Sequence, residues 1–225
     1  MFDGDRSDLD AYVAITEELS ASSIVDVGCG TGSFAVRLAA LGKNVVGVDP
    51  AGASLDVART KLNGRHVRWV DGDATALGGL HLAADLVVMT GNVAQVFVSD
   101  DDWATTLDAI HACLRPAGWL VLETRRPEVR DWEGWETAPT TVAIPGGANV
   151  VVSSTVTEVA LPLVTFASTT TIGGEVVHSA STLRFRTRRE VEEDLDDHGF
   201  ETVEVRDAPD RRGKEFVFLA RRIDE

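Results

Sequence analysis

Short apolar, β-branched runs alternate along this chain with stretches whose apolar positions recur every three or four residues, a pattern that predicts repeating β–α units. Residues 24–27 and 45–48 read as short buried strands. Phe34, Leu38 and Leu41, closed by Gly42, mark a helix between them. A second helix over residues 53–62 ends near Gly64, and a third strand follows at 67–70. Residues 85–89 form a fourth strand, whose continuous apolar run suits a sheet covered on both faces. A helix over about 101–114, capped by Ser99 or Asp100 and stopped by Pro116-Ala117-Gly118, leads into a fifth strand at 119–123. One more helix, over about 9–19, precedes all of these and carries Tyr12, which is expected in the core.

Beyond residue 126 the pattern changes. Residues 149–159, 163–172 and 175–186 are β-rich and heavy in Val and Thr, and Gly173-Gly174 suits a two-residue hairpin turn with positive φ at both positions. They predict a small antiparallel sheet laid over a ligand crevice. Thr187-x-x-Glu190 is a capping box opening a helix that ends at His198-Gly199. Residues 200–205 and 215–220, joined by the polar stretch 208–214, then read as the final two strands.

The chemistry concentrates at strand ends. The first strand runs into Gly28-Cys29-Gly30-Thr31-Gly32, where glycines let the backbone turn sharply and approach a ligand with no Cβ in the way. The second strand ends on Asp49-Pro50, placing a carboxylate where it can accept from two ribose hydroxyls. A dinucleotide turn of the usual kind wants Gly-x-Gly-x-x-Gly, and Ser33 stands where its third glycine would be.

Gly28-Cys29-Gly30-Thr31-Gly32, with Asp26 before it, resembles the first motif of class I S-adenosylmethionine-dependent methyltransferases of the small-molecule type, similar to glycine, sarcosine and amino-sugar N-methyltransferases. Asp71-Gly72-Asp73-Ala74 after the third strand and Thr90-Gly91-Asn92-Val93 after the fourth resemble later motifs of that family. The resemblance covers residues 1–126 and roughly 187–222. It implies an α/β fold: a Rossmann-like methyltransferase sandwich with a mostly parallel sheet, an antiparallel terminal hairpin, and a small antiparallel β lid inserted after the fifth strand. Residues 1–126 and 187–225 would then form the cofactor-binding domain and 127–186 the substrate-binding lid.

The resemblance further implies S-adenosylmethionine as cofactor, held by Asp26, Gly28, Cys29, Gly30, Asp49, Pro50, Asp73, Ala74, Thr90, Gly91 and Asn92. In the lead-in Phe2-Asp3-Gly4-Asp5-Arg6, the aromatic and Arg6 would fold over the methionine end, with Arg6 on the cofactor carboxylate. The family usually has more residues before this point, often with a further tyrosine. The expected reaction is in-line displacement at the sulfonium methyl by an amine or hydroxyl of a small molecule. Trp132 and Trp135 either wall the substrate pocket or pack the lid against the domain. Of the five histidines, His178 on a lid strand is the candidate base. Rival readings are a nicotinamide-dependent oxidoreductase, an aminopropyl transferase, and a non-catalytic S-adenosylmethionine-binding protein. Ser33 and Gly91-Asn92 argue against the first, and Arg6 bears on the second.

Composition narrows partners. A formal charge of −15 over 225 residues repels polyanions, so nucleic acid is not the expected substrate, and the clusters Arg125-Arg126, 184–189 and Arg211-Arg212 are expected as a solvated rim. No apolar stretch is long enough for a membrane span, and residues 1–5 lack the basic and apolar parts of a signal peptide, which predicts a cytoplasmic protein. Cys29 and Cys113 have no metal or disulfide spacing, so no metal is expected. A monomer or a homodimer paired through the lid edge fits the pattern equally.

Overall fold

Leu86 and Val88 are buried on one face of a central sheet while Val87 and Met89 are buried on the other, so the fourth strand is apolar throughout because both faces are covered. The computed structural model describes residues 6–143 and 149–223. Phe2 and the rest of the expected aromatic lead-in lie outside the described residues.

A 3-10 turn at Ser7–Leu9 precedes α1 (Asp10–Glu18). Then come β1 (Ser23–Val27), α2 (Ser33–Ala40), β2 (Asn44–Asp49), α3 (Gly52–Thr60), β3 (Val67–Asp71), β4 (Ala84–Met89), α4 (Asp100–Cys113) and β5 (Leu114–Arg125). Next are β6 (Thr137–Ala143), β7 (Asn149–Ala160), β8 (Leu163–Ile172) and β9 (Glu175–Arg184). The described chain closes with α5 (Arg188–Asp197), β10 (Phe200–Asp207) and β11 (Glu215–Arg222).

Seven strands form the central sheet in the order β10-β11-β5-β4-β1-β2-β3. The pairs among β1 to β5 are parallel, and β11 runs antiparallel to both β5 and β10. Strand order reverses between β1 and β4, so the carboxyl ends of β1, β2 and β4 open onto the crevice where such sheets take ligands. Phe34 and Leu38 of α2 cover one face with Tyr12 and Ile15 of α1, while Trp103, Leu107 and Ile110 of α4 cover the other with Leu195 of α5. Capping matches the sequence: Ser99 accepts from the Asp102 N–H, and Thr187 with Glu190 makes the reciprocal box of α5.

A second, four-stranded antiparallel sheet runs β6-β7-β8-β9. Gly173 and Gly174, at φ +58° and +88°, make the tight turn expected between β8 and β9. Strand β6 is not expected from sequence, since Thr137-Ala138-Pro139-Thr140-Thr141 has neither clear alternation nor apolar weight, and all of β6 is exposed. Strand β5 extends well beyond 119–123, beginning directly where α4 ends and carrying an irregularity of register at its start. The second sheet has its own small core of Trp132, Val164 and Phe185 at the end where it joins the rest of the molecule.

Candidate functional site

Leaving β1, Gly28 and Cys29 both donate backbone N–H bonds to the Val48 carbonyl, at 2.8 and 3.1 Å, which bends the glycine turn across the end of β2. Gly28 has φ +70°, and a Cβ there would lie 2.5 Å from Val93 Cγ2, so only glycine fits. Gly32 is excluded from substitution in the same way, because Trp69 and Ala58 fill the space beside it. The Asp49 carboxylate receives the Gly30 N–H on Oδ2 and the Ala51 N–H on Oδ1, each at 2.8 Å. Each oxygen keeps a further lone pair, so the group stays able to accept two hydroxyls.

A cavity of about 320 Å³ lies beyond this turn. Gly28, Asp49, Pro50, Asp73 and Ala74 line it, which brings together five of the residues expected to hold the cofactor. Asp73 caps the turn after it, with Oδ1 on the Thr75 N–H at 2.9 Å, and Oδ2 is left for an incoming donor. Val27, Val48 and Gly72 line the cavity too, and Val93, Val96 and Phe97 complete the lining; these last three are not among the residues expected to hold the cofactor, and only their apolar character beside Asn92 signals them. Cys29 and Gly30 serve the turn through their backbone. Burial pushes the Cys29 thiol well above its usual range, aided by the Asp26 and Asp49 charges, which disfavours the thiolate.

Asp26 is buried behind the turn, and its Oδ2 has no hydrogen-bond partner among the described residues. Desolvation, reinforced by the Asp49 charge, pushes its carboxyl up to about 7, against the opposing hydrogen bond to the Ala35 backbone. An orphaned acidic oxygen beneath a turn with no Cβ in the way fits a ligand that brings a positive charge.

Thr90, Gly91 and Asn92 do not line the crevice as expected. Gly91 and Asn92 turn their backbone N–H groups inward onto Glu123 Oε1, the second at 3.0 Å, and the Tyr12 hydroxyl bonds Oε2 of the same carboxylate. Asn92 Nδ2 donates to Glu215 Oε1 at 2.8 Å. Tyr12 is thus in the core, as expected, but with a polar partner there.

Arg6 makes a fork with Asp8, Nε to Oδ1 and NH2 to Oδ2 both at 2.8 Å, and it does not line the crevice. This hydrogen bond from Arg6 holds the Asp8 carboxyl below its usual range.

A second cavity, of about 450 Å³, opens at the root of the β6–β9 sheet between Arg125, Trp135, Ser154, Phe166, Ser168 and Leu183. The two tryptophans divide the roles of packing and pocket wall between them. Trp132 is 2% exposed and packs edge-on against Phe185, whereas Trp135 lines the cavity with the Arg125 guanidinium 5.1 Å from its ring centre. Among the described residues, none of the second sheet lines the first crevice. His178, the candidate base, sits on an exposed part of β9 opposite Thr169, with Nδ1 3.1 Å from the Thr169 hydroxyl, and lines neither cavity.

The basic clusters are a solvated rim only in part: Arg188, Arg189, Arg211 and Arg212 are exposed, whereas Arg125, Arg184 and Arg186 turn inward. Arg186 is 4% exposed and donates to the Ala94 and Phe97 carbonyls, at 3.4 and 3.0 Å. Arg184 donates to the Val98 carbonyl at 3.0 Å and pairs with Asp100 at 2.7 Å. Arg125 bonds Gln95 Oε1 at 2.9 Å. Arg184 at the end of β9 and Arg186 just after it fasten the second sheet to the stretch that walls the first crevice, and Arg125 ties β5 to the same stretch, a use that local sequence composition does not reveal.

Residues 24–118 match the family model described as a methyltransferase domain. A cypemycin N-terminal methyltransferase from Streptomyces sp is 32% identical over 117 residues, 52% of this chain and 47% of that protein. The chain spans about half the length of the curated relatives it matches. Among solved structures, an S-adenosylmethionine-bound amino pentose methyltransferase from Micromonospora echinaspora superposes with a TM-score of 0.74 at 24% identity, covering 97% of this chain and 92% of that one. A sugar N-methyltransferase from Streptoalloteichus sp gives 0.78 at 18% identity over 99% and 89% of the two chains.

Proposed function

From a methyltransferase domain matched over residues 24–118 and the Rossmann-like methyltransferase fold around it, we propose that this protein transfers a methyl group from S-adenosylmethionine to an amine or hydroxyl of a small molecule. The observation that carries the proposal is the closure of the glycine turn onto Asp49, with Asp73 and Ala74 across the same cavity. In this reading Asp49 accepts the ribose hydroxyls, and Asp73 Oδ2 with the Ala74 N–H meets the adenine. Pro50, Val96 and Phe97 enclose the base in apolar surface. The backbone of Gly28 and Gly30, with Asp26 beneath, receives the amino acid end, and Arg6 would leave Asp8 to meet its carboxylate.

When bound, the cofactor supplies an electrophilic methyl group, and displacement at it needs alignment more than it needs covalent help from the protein. The chain's contribution is therefore to hold an acceptor in line and to keep water away. Trp135 and Phe166 supply flat apolar walls for the acceptor, Ser154 and Ser168 supply polar contacts, and residues 127–186 serve as the acceptor-binding lid. The names of the two sugar-modifying neighbours support a nitrogen acceptor on a small molecule. Among the described residues no helix is long and apolar enough to cross a membrane.

The test is turnover of methyl-labelled S-adenosylmethionine against a panel of amino sugars, other amines, hydroxy acids and phenols. Label appearing in one acceptor class supports the proposal and names the class. Binding of cofactor with no transfer to any member would favour the non-catalytic reading.

A further inference from the structure

Glu123 is 5% exposed near the end of β5, beside Val217 of β11, and it lines neither cavity. Both its oxygens are nevertheless engaged: Oε1 by the N–H groups of Gly91 and Asn92, Oε2 by the Tyr12 hydroxyl. Gly91 and Asn92 both hold left-handed backbone, at φ +71° and +62°. Two successive N–H groups converging on one oxygen form an anion-binding nest, and the acceptor stabilises the backbone that makes it. Asn is the residue type that, after glycine, adopts this backbone most readily, and the shared acceptor holds it there.

From this nest one path of contacts leads to each cavity. Val93, next in the chain after Asn92, is the side chain that fills the space above Gly28 and walls the cofactor crevice. Asn92 Nδ2 donates to Glu215, whose carboxylate can only accept, so the amide has one orientation. Glu215 in turn lies 2.7 Å from Arg211 NH1 and 3.8 Å from Nε of Arg125, the cation beside Trp135. Tyr12 ties in α1, and without Glu123 its hydroxyl would be buried with nothing to bond.

We propose that Glu123 is a positioning residue for methyl transfer: by accepting the Gly91 and Asn92 N–H groups it sets Val93 against the glycine turn and Asn92 against the Glu215–Arg125 pair, holding cofactor crevice and acceptor cavity in register. The proposal rests on reading the first crevice as the S-adenosylmethionine site. What the position requires is an acceptor toward the nest and a group toward Tyr12 that can share a hydrogen bond. Burial, with the Glu215 charge, pushes the Glu123 carboxyl up to about 7, and the protonated acid meets the same requirement with its O–H turned to Tyr12. Glutamine meets it too, through its carbonyl and amide. Methionine keeps the length and loses both contacts.

The experiment compares wild type, Glu123→Gln and Glu123→Met by calorimetric titration with S-adenosylhomocysteine, well below each protein's melting midpoint, together with amide hydrogen exchange at residues 91–93 in the free proteins. The expected result is a loss of about tenfold or more in affinity for Glu123→Met, with Glu123→Gln within about threefold of wild type. Exchange should be slow in wild type and Glu123→Gln and fast in Glu123→Met. A merely structural Glu123 would lower the melting midpoint and leave affinity unmoved, so Glu123→Met binding at wild-type strength overturns the proposal. Glu123→Gln failing as far as Glu123→Met overturns it as well. If Glu123→Met does not fold, Glu123→Asp, which withdraws the carboxylate by one methylene, carries the same expectations. Slow exchange at 91–93 in a wild type that binds no S-adenosylhomocysteine overturns the reading of the crevice, a result distinct from those that bear on Glu123.

Discussion

The Asp49 carboxylate, at the end of the second strand, holds the backbone N–H of Gly30 at 2.8 Å in the turn that leaves the first. One side chain thereby fixes the turn and faces the crevice at the same time. Asp49→Ala removes both contributions and should weaken S-adenosylmethionine by on the order of 1.5–3 kcal/mol, the range for losing a charged acceptor. Asp49→Asn keeps one acceptor oxygen and should lose less. Calorimetry on the two variants checks the order, and equal affinities for Asp49→Ala and wild type would remove Asp49 from the site.

Asp26 predicts an unusual pH dependence. Its carboxyl stands at about 7 in the folded protein against 3.8 for an ordinary aspartate, so between about pH 4 and 7 the fold keeps a proton that the unfolded chain has released. Stability from this group therefore falls as pH rises through that window, by on the order of 1.4 kcal/mol per unit, and levels off above it. Asp26→Asn has no charge to desolvate and its carbonyl can still accept from Ala35. In the absence of ligand it should melt above wild type at pH 8, with the gap narrowing toward pH 5. Glu123, also pushed up to about 7, contributes equally to both proteins and cancels in the comparison.

The two tryptophans should separate stability from catalysis. Trp132→Ala empties a buried site against Phe185 and should cost about 3–5 kcal/mol of stability. Trp135→Ala removes a cavity wall under Arg125 and should raise the acceptor KM with a smaller effect on the melting midpoint. Thermal melts and steady-state kinetics on both variants decide this, and reversed phenotypes would mean the acceptor binds elsewhere.

His178→Ala should leave turnover within about twofold of wild type, since a base must reach the reacting atom and this ring sits exposed beside Thr169. A loss of about a hundredfold, partly recovered at high pH, would restore His178 as the base and require β9 to move over the crevice.

The range of the forces involved decides which of these features are legible in the sequence. The Gly28–Gly32 turn and the placement of Asp49 and Asp73 at the crevice are readable because they are set by backbone geometry within a few residues and by position at strand ends. The capping box of α5 and the Gly173-Gly174 turn are readable for the same reason. Long-range burial is not. Nothing local distinguishes Glu123 from the solvated glutamates of this acidic chain, or Arg186 from a rim arginine; only packing against Tyr12, Asn92 and Trp103 gives them their surroundings. Thr90 and Gly91 stand one turn away from the residues that line the crevice, because the chain commits Gly91 and Asn92 to the nest at Glu123 before Val93 reaches it.

Direct titration of the full chain with S-adenosylmethionine, S-adenosylhomocysteine, NAD and NADP tests the reading of the crevice most closely. Saturable one-to-one binding of the first two, with no measurable heat from either dinucleotide, is the predicted result. Tight binding of a nicotinamide dinucleotide, or silence toward both S-adenosyl ligands, would contradict it.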